Sequence, residues 1–197
     1  YDKCGTTALH YAVLRKKQWA IQSLIKAGCE ITKRTKIEGD TICHLAAFNG
    51  SLDIFKSFGK FFEVNVLNAK KQTPLHYATI YGSTQIVDYL LALPEIDINA
   101  ADDEGNTALH HCIQNSQRSI FMALLSNRSI NVNAMNNDYE TPLIFSFKFN
   151  NEEFITKLLS LDGMIAPYCC EKATGNTPLH LSIILKSEIL TRRLLKL

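Results

Sequence analysis

Apolar and polar residues follow one another along this chain in short helical units. In one stretch Thr73 is a good N-cap, and Leu75 and Tyr77 then line one side of a short helix that ends near Tyr81. A second helix is predicted over residues 84–93, where apolar residues have the i, i+1, i+4, i+5 spacing of a buried stripe. Helices this short are marginal in isolation. The pattern therefore predicts helix pairs that are stabilised by packing on neighbouring pairs.

A six-residue motif opens each helix pair and occurs six times in the chain. Its fourth copy, residues 105–110, reads Gly-Asn-Thr-Ala-Leu-His. The threonines of the six copies are Thr7, Thr41, Thr73, Thr107, Thr141 and Thr177. Successive threonines lie 34, 32, 34, 34 and 36 residues apart. Near-copies at a period of about 33 residues indicate a repeat protein whose units stack.

The motif and its period resemble those of the ankyrin-repeat family over the whole chain. The resemblance implies an all-α solenoid of stacked helix-turn-helix units, joined by β-hairpin-like fingers and curved to give a concave face. We expect a single array over residues 1–197, with repeats at about 2–35, 36–68, 69–102, 103–136, 137–172 and 173–197. Because the chain starts at Tyr1 and no polar closing helix follows the last repeat, we expect a fragment of a longer protein.

Two further groups of apolar residues are expected in the core. One lies in the second helix of repeat 1 and consists of Trp19, Ile21, Leu24 and Ile25. The other is an aromatic run in repeat 2, made of Phe55, Phe58, Phe61 and Phe62. At helical spacing such a run is more often core than a ligand site.

Composition permits a packed core and gives no sign of a nucleic-acid partner. Hydrophobic residues make up 46% of the chain and charged residues 20%, so the chain is not compositionally disordered. The net charge is +2, with dispersed lysines and arginines. No apolar run is long enough to span a bilayer, and the start lacks the apolar region of a signal peptide. We expect an intracellular protein, cytoplasmic or nuclear, that is a monomeric array without membrane insertion.

The six cysteines favour buried thiols over a metal site. They are Cys4, Cys29, Cys43, Cys112, Cys169 and Cys170, and their spacings match no zinc ribbon, zinc finger or CxxC redox motif. Cys43 replaces the motif leucine and Cys112 a helix alanine, and reduced, partly buried thiols are expected.

Five histidines share one position in the motif: His10, His44, His76, His110 and His180. The family resemblance implies that this histidine ties the turn together through hydrogen bonds that involve the threonine. His111 and Cys112 could suggest a nucleophile pair, but consecutive helical residues point about 100° apart and no orienting third group is evident. The chain also lacks phosphate-binding loops and common hydrolase motifs. We therefore expect no catalytic residue, metal or cofactor, and no enzymatic activity.

Partner recognition is the function that remains. In ankyrin arrays partners usually contact the finger tips and the exposed end of each first helix, and Phe48, Ile80 and Tyr81 would form neighbouring apolar groups there, with Phe149 further along. The alternative is that Phe48 and Ile80 pack against the next repeat. The residues expected to contact a partner protein or peptide are Phe48, Ile80, Tyr81, Asp103, Glu104, Gln114, Asn115, Asp138, Glu140, Lys148 and Phe149.

Charges on the predicted fingers change sign along the chain. The basic ones come first and are Lys33, Arg34, Lys36, Lys70 and Lys71. The acidic ones follow and are Asp102, Asp103, Glu104, Asp138 and Glu140. Such a gradient would orient a partner of complementary polarity, whereas the simpler alternative is that these charges only keep the surface soluble.

Two asparagines resemble hydroxylation sites known in ankyrin repeats. Asn99 lies two residues after Asp97 and eight after Leu91, and Asn133 fits less well because Asn131 replaces the acidic residue. The alternative is that Asn99 and Asn133 only hydrogen-bond the finger.

We interpret the chain as a non-catalytic protein–protein interaction module that binds a partner protein or peptide on its concave face. The alternative is a targeting or regulatory region of a larger enzyme, channel or host-directed microbial effector.

Overall fold

The computed structural model describes residues 2–3, 5–161 and 165–196. These residues form α-helices and one short 3-10 turn and contain no β-strand, which confirms the all-α prediction. Cys4 lies outside the described residues.

The helices alternate between a first and a second helix of each repeat. The first helices are α1 (Ala8–Leu14), α3 (Ile42–Phe48), α5 (Pro74–Ile80), α7 (Ala108–Gln114), α9 (Pro142–Lys148) and α11 (Pro178–Ile184). The second helices are α2 (Gln18–Lys26), α4 (Leu52–Phe58), α6 (Thr84–Leu91), α8 (Arg118–Ser126), α10 (Glu152–Leu158) and α12 (Glu188–Leu194). The 3-10 turn, Gly59–Phe61, follows α4.

The chain divides into two compact units, unit 1 over residues 1–103 and unit 2 over residues 104–197. In unit 1, helices α1, α3 and α5 pack side by side, and each also contacts the second helix of its own repeat. In unit 2 the same holds for α7, α9 and α11. The single array expected over residues 1–197 stays a prediction.

The motif threonine and histidine start the first helices. Thr73 is the N-cap of α5, and its hydroxyl oxygen accepts a hydrogen bond from the backbone N–H of His76 at 3.4 Å. In return, Nδ1 of His76 accepts from the backbone N–H of Thr73 at 3.1 Å. The same reciprocal capping box occurs at the other four motif histidines, which confirms the role predicted for them. Repeat 5 has Ile144 in place of histidine and keeps only the hydrogen bond from its backbone N–H to Thr141.

A residue with positive φ reverses the chain between the two helices of each repeat. Gly82 takes this position in repeat 3, with φ 70°, and glycine accepts that conformation without strain. Repeat 1 lacks the glycine, and Lys16 adopts φ 53° instead. Backbone strain is therefore expected at Lys16.

Only part of the two apolar groups predicted for the core is fully buried, and Leu24, Ile25 and Phe62 are half-buried. Phe55 and Phe58 are buried, as predicted, whereas Phe61 is exposed because the chain leaves helix α4 for the 3-10 turn and the residue rotates off the buried side. The prediction for Trp19 is wrong, since it is 72% exposed. Only Ile21 of α2 is fully buried, and a residue two positions away points about 200° around the helix from it.

Backbone hydrogen bonds join the fingers of successive repeats. In unit 1 the N–H of Ala69 donates to the carbonyl of Glu38 at 2.8 Å, and the N–H of Asp103 donates to that of Lys70 at 3.0 Å. In unit 2 the N–H of Asn137 donates in the same way to the carbonyl of Glu104 at 2.9 Å. These bonds fix the position of each finger relative to its neighbour within the unit.

Candidate partner-binding site

Unit 1 contains a cleft of about 450 Å³ between the ends of its first helices and its fingers. The helices α1, α3 and α5 contribute Leu14, Phe48 and Ile80 to its lining, and Tyr81 follows directly after α5. The fingers contribute acidic and basic side chains, which are Glu38, Asp40 and Lys70. We call this feature the unit 1 cleft. It contains three of the residues predicted to contact a partner: Phe48, Ile80 and Tyr81.

Two aromatic rings form an exposed corner of the unit 1 cleft. The ring centroids of Phe48 and Tyr81 are 4.5 Å apart and the ring planes meet at 85°. Phe48 remains 41% exposed and Tyr81 52% exposed. Tyr77 lies behind this corner, with its ring centroid 5.7 Å from that of Tyr81. Phe48 thus contacts the next repeat and still presents apolar surface to solvent.

A buried carboxylate lies among the cleft residues. Asp40 is only 6% exposed and accepts hydrogen bonds from the hydroxyl of Tyr77 at 2.9 Å and from Nδ2 of Asn68 at 3.0 Å. Burial, followed by this hydrogen bond and the charge of Asp40, raises the pKa of Tyr77, so its hydroxyl stays protonated and can donate. Among the described residues, no lysine, arginine or histidine nitrogen lies within ion-pair distance of Asp40.

The basic side chains of the unit 1 fingers are largely engaged within the unit. Lys70 lies 3.4 Å from the carboxylate of Glu38, and Lys33 lies 3.0 Å from that of Glu30. Arg34 donates to the backbone carbonyls of Gly39 and Leu67 and so braces two fingers. The charge gradient along the fingers stays a prediction.

Unit 2 carries most of the remaining predicted contact residues. Gln114 and Asn115 are exposed at the end of α7, and Lys148 and Phe149 are exposed at the end of α9. The side-chain amide of Asn115 donates to the carbonyl of His111 at 2.9 Å. These exposed side chains could meet a partner.

The acidic residues predicted to contact a partner differ in exposure. Asp103, which ends unit 1, is exposed, as are Glu104 and Asp138 in unit 2. Glu140, in contrast, is only 4% exposed. Its carboxylate accepts from Nζ of Lys148 at 2.8 Å and from Nδ2 of Asn136 at 3.0 Å, so in this conformation it stabilises its own repeat.

Asp40 and Tyr77 are not among the residues expected to contact a partner. The pattern predicts Tyr77 as an apolar core residue, whereas its hydroxyl has its partner 37 positions earlier in the chain. A usable signal was present, because Asp40 directly precedes a motif threonine, where the other repeats have uncharged residues or Glu140.

The two asparagines proposed for hydroxylation are half-buried and take part in turns. The backbone N–H of Asn99 donates to the carboxylate of Asp97 at 3.1 Å, and that of Asn133 donates to Oδ1 of Asn131 at 3.0 Å. Oδ1 of Asn133 also accepts from the N–H of Ala166 at 2.8 Å. These bonds fit the finger-holding alternative, and hydroxylation stays a prediction.

The buried cysteines are where the repeat pattern places them. Cys43 and Cys112 are both buried, as predicted, and burial raises the pKa of each thiol. Sγ of Cys112 donates to the carbonyl of Leu109 at 3.1 Å. Such a thiol is a poor nucleophile. The described part of the chain contains no group of three or more histidine, cysteine or acidic side chains placed to hold a metal ion.

No helix in the described part of the chain has the length and apolar character needed to cross a membrane.

Comparisons with known proteins agree with the repeat pattern. Residues 43–136 match the family described as ankyrin repeats in 3 copies. Rabankyrin-5 of Mus musculus is 26% identical over 206 residues, which cover 98% of this chain and 17% of that protein. The transient receptor potential cation channel subfamily A member 1 of Drosophila melanogaster is 34% identical over 110 residues, which cover 53% of this chain and 9% of that protein.

A solved structure shows the fold. The ankyrin repeat domain of Bcl-3 superposes with a TM-score of 0.84 and 23% identity, covering 98% of this chain and 87% of that one. The fold is therefore the ankyrin-repeat solenoid.

Proposed function

We propose that this chain, an ankyrin-repeat protein, is a protein–protein interaction module whose unit 1 cleft holds a segment of its partner. Ankyrin repeats generally serve as protein–protein interaction modules. The observation that carries the proposal is the exposed corner formed by Phe48 and Tyr81. We extend the general rule to the whole chain and propose that it has no catalytic residue.

The physics of interfaces supports this choice of surface. Aromatic side chains are strongly over-represented among the residues that dominate binding energy, and they act best where a pocket excludes water. Phe48 and Tyr81 lie at the ends of capped helices that are packed on their neighbours, so little conformational entropy is lost when a partner binds them. A cleft of about 450 Å³ has the size of a site that takes a few side chains.

The exposed residues of unit 2 provide a second contact area in this proposal. Gln114, Asn115, Lys148 and Phe149 stand at the register positions that correspond to the walls of the unit 1 cleft. A partner that has one segment for each unit would gain affinity from the effective concentration of its second contact.

The lengths of the relatives support a further part of the proposal. The chain spans 17% of mouse rabankyrin-5 and 9% of the Drosophila channel subunit. We propose that it acts as a targeting or regulatory part of a larger protein.

Selection from a phage library of random peptides tests the proposed surface. Peptides selected on the native chain are synthesised, and their Kd values are compared for the native chain and a Phe48→Ala, Tyr81→Ala double variant. Loss of two aromatic anchors should weaken binding by about tenfold to thirtyfold or more.

The matched control is Trp19→Ala. Trp19 is an exposed aromatic residue of unit 1 that lies outside the cleft lining, and its removal should leave the Kd unchanged. Urea unfolding establishes that each variant is folded. Peptides that bind the double variant as tightly as the native chain would place the binding surface elsewhere and refute the proposal.

A further inference from the structure

Repeats 3 and 5 carry the same pair of aromatic side chains at the end of the first helix. Tyr77 and Tyr81 lie four and eight residues after the motif threonine of repeat 3, and Phe145 and Phe149 lie at the same positions in repeat 5. The ring centroids are 5.7 Å apart in the first pair and 4.9 Å apart in the second. The two pairs can therefore be compared position by position.

In repeat 5 the chain itself places a cation against this aromatic pair. Lys148 lies seven residues after the motif threonine, and its Nζ is 5.5 Å from the ring centroid of Phe145. The same Nζ lies 2.8 Å from the carboxylate of Glu140, the buried residue directly before that threonine. The arrangement combines a charge-assisted hydrogen bond with a cation–π contact. Unit 2 therefore shows which group this combination of carboxylate and ring takes: an ammonium.

In unit 1 the carboxylate and the rings come from successive repeats, and the lysine position is apolar in both. The position directly before the motif threonine is Asp40 in repeat 2, and the position of Lys148 is held by Phe48 in repeat 2 and by Ile80 in repeat 3. Asp40 is buried and receives side-chain hydrogen bonds from two neutral groups, those of Tyr77 and Asn68.

The charges along the unit 1 cleft sum to a negative value. Its lining has two carboxylates, Glu38 and Asp40, and one ammonium, that of Lys70. Lys70 forms an ion pair with Glu38, so these two charges offset each other and the charge of Asp40 remains. A cationic guest would be attracted by Asp40 and by the faces of the exposed rings, whereas an acidic guest would be repelled.

We propose that the unit 1 cleft recognises a basic side chain, a lysine or an arginine, in an extended segment of the partner protein. The aliphatic stem of that side chain lies against Phe48 and Tyr81, and its cation points toward Asp40. This inference rests on the proposed function, since it specifies the partner segment that the same cleft binds. A purely apolar guest fits less well because it would take water from Asp40 without supplying a donor.

The test uses the peptides selected on the native chain and four further variants. Phe48→Leu keeps an apolar side chain but removes the ring, and Asp40→Asn keeps the size but removes the charge. Ile80→Lys supplies in unit 1 the lysine that repeat 5 has, so it should compete with the guest, and Ile80→Met is its matched control.

The selected peptides should share a lysine or arginine at one position. Their affinity should fall about threefold to tenfold with Phe48→Leu and about tenfold or more with Asp40→Asn. Ile80→Lys should bind the peptides about tenfold more weakly than its matched control Ile80→Met. If Asp40→Asn fails to fold, the comparison of Ile80→Lys with Ile80→Met tests the inference instead. Both Ile80 variants should fold, because the side chain of Ile80 is only half-buried.

The two proposals fail in different ways. Peptides that depend on Phe48 and Tyr81 but lack a common basic residue, or that bind Ile80→Lys as well as the native chain, would overturn the basic-side-chain inference and leave the interaction function standing. Peptides whose affinity does not depend on Phe48 and Tyr81 would overturn both.

Discussion

Replacing Cys43 by leucine should stabilise the protein. This residue stands where the other repeats have leucine, and four of those, Leu9, Leu75, Leu109 and Leu143, are at most 1% exposed. Cys43 is also buried, but it lines a cavity of about 160 Å³ together with side chains such as Ile31 and Val66. At this position repeat 2 therefore has a smaller side chain than the leucine of the other repeats, and the cavity beside it is unfilled.

The size of the effect follows from the atoms added. Leucine exceeds cysteine by about two methyl-sized groups, and burying each contributes about 0.8 kcal/mol, so Cys43→Leu should raise the free energy of unfolding by about 1.5 kcal/mol. If the branched side chain does not point into the cavity, overpacking will instead lower that free energy by about 1–3 kcal/mol.

The change in the free energy of unfolding is measured by urea unfolding under reducing conditions, with circular dichroism as the probe. Cys112→Leu is the matched control, because Cys112 occupies a position that holds the small residues Ala12, Ala46 and Ala78 in repeats 1–3. All of these are buried, so the larger side chain should lower the urea midpoint there. A lower midpoint for Cys43→Leu as well would refute the reasoning that the motif position in repeat 2 is underfilled.

Four further changes, three substitutions and a change of pH, test the description of the repeats, each by the urea midpoint. Lys16→Gly should raise the free energy of unfolding by about 1 kcal/mol, and with it the urea midpoint, because the native φ of Lys16 is 53°. A lower midpoint would contradict the backbone strain expected at Lys16. Thr73→Ala should cost about 1 kcal/mol through the lost N-cap, and Leu109→Ala about 2–5 kcal/mol through the lost core contacts; unchanged midpoints would contradict the register. Burial lowers the pKa of His10 and His44 in the folded protein below the value of about 6.5 that histidine has in the unfolded chain. Below about pH 6.5 the unfolded chain therefore binds protons more readily than the folded protein, and the free energy of unfolding falls as the pH falls toward the lowered pKa values. The midpoint should therefore fall between about pH 7.5 and about pH 5.5, and a midpoint constant over this range would contradict that assignment.

The elements that the sequence predicts well are those whose causes are local. The reciprocal hydrogen bonds of Thr73 and His76 join residues three positions apart, so a single motif copy contains the whole device. The buried stripe of α6 is equally local, and the predicted end at residue 93 is two residues beyond the observed end at Leu91. Trp19 was wrongly placed in the core because periodicity identifies an apolar residue but does not say which side of a helix finds a neighbour.

In the candidate site, too, features with local causes are predictable from the sequence and contacts between distant residues are not. Phe48 and Tyr81 are exposed because of their positions at the end of a first helix, so their exposure could be predicted from the sequence alone. The partnership of Asp40 with Tyr77 joins side chains from different repeats, 37 positions apart, and requires the structure. The burial of Glu140 likewise depends on Lys148, eight positions away at the far end of the next helix.

The most direct measurement is an NMR titration of the chain, labelled with ¹³C in its phenylalanine and tyrosine rings, with a peptide selected on the native protein. Ring resonances are assigned from single variants such as Phe48→Leu. The resonances of Phe48, Tyr77 and Tyr81 should shift with the same saturation curve, because all three line one cleft. Shifts confined to exposed rings outside it, such as those of Phe61 and Tyr168, would contradict the claim that this cleft is the partner-binding site.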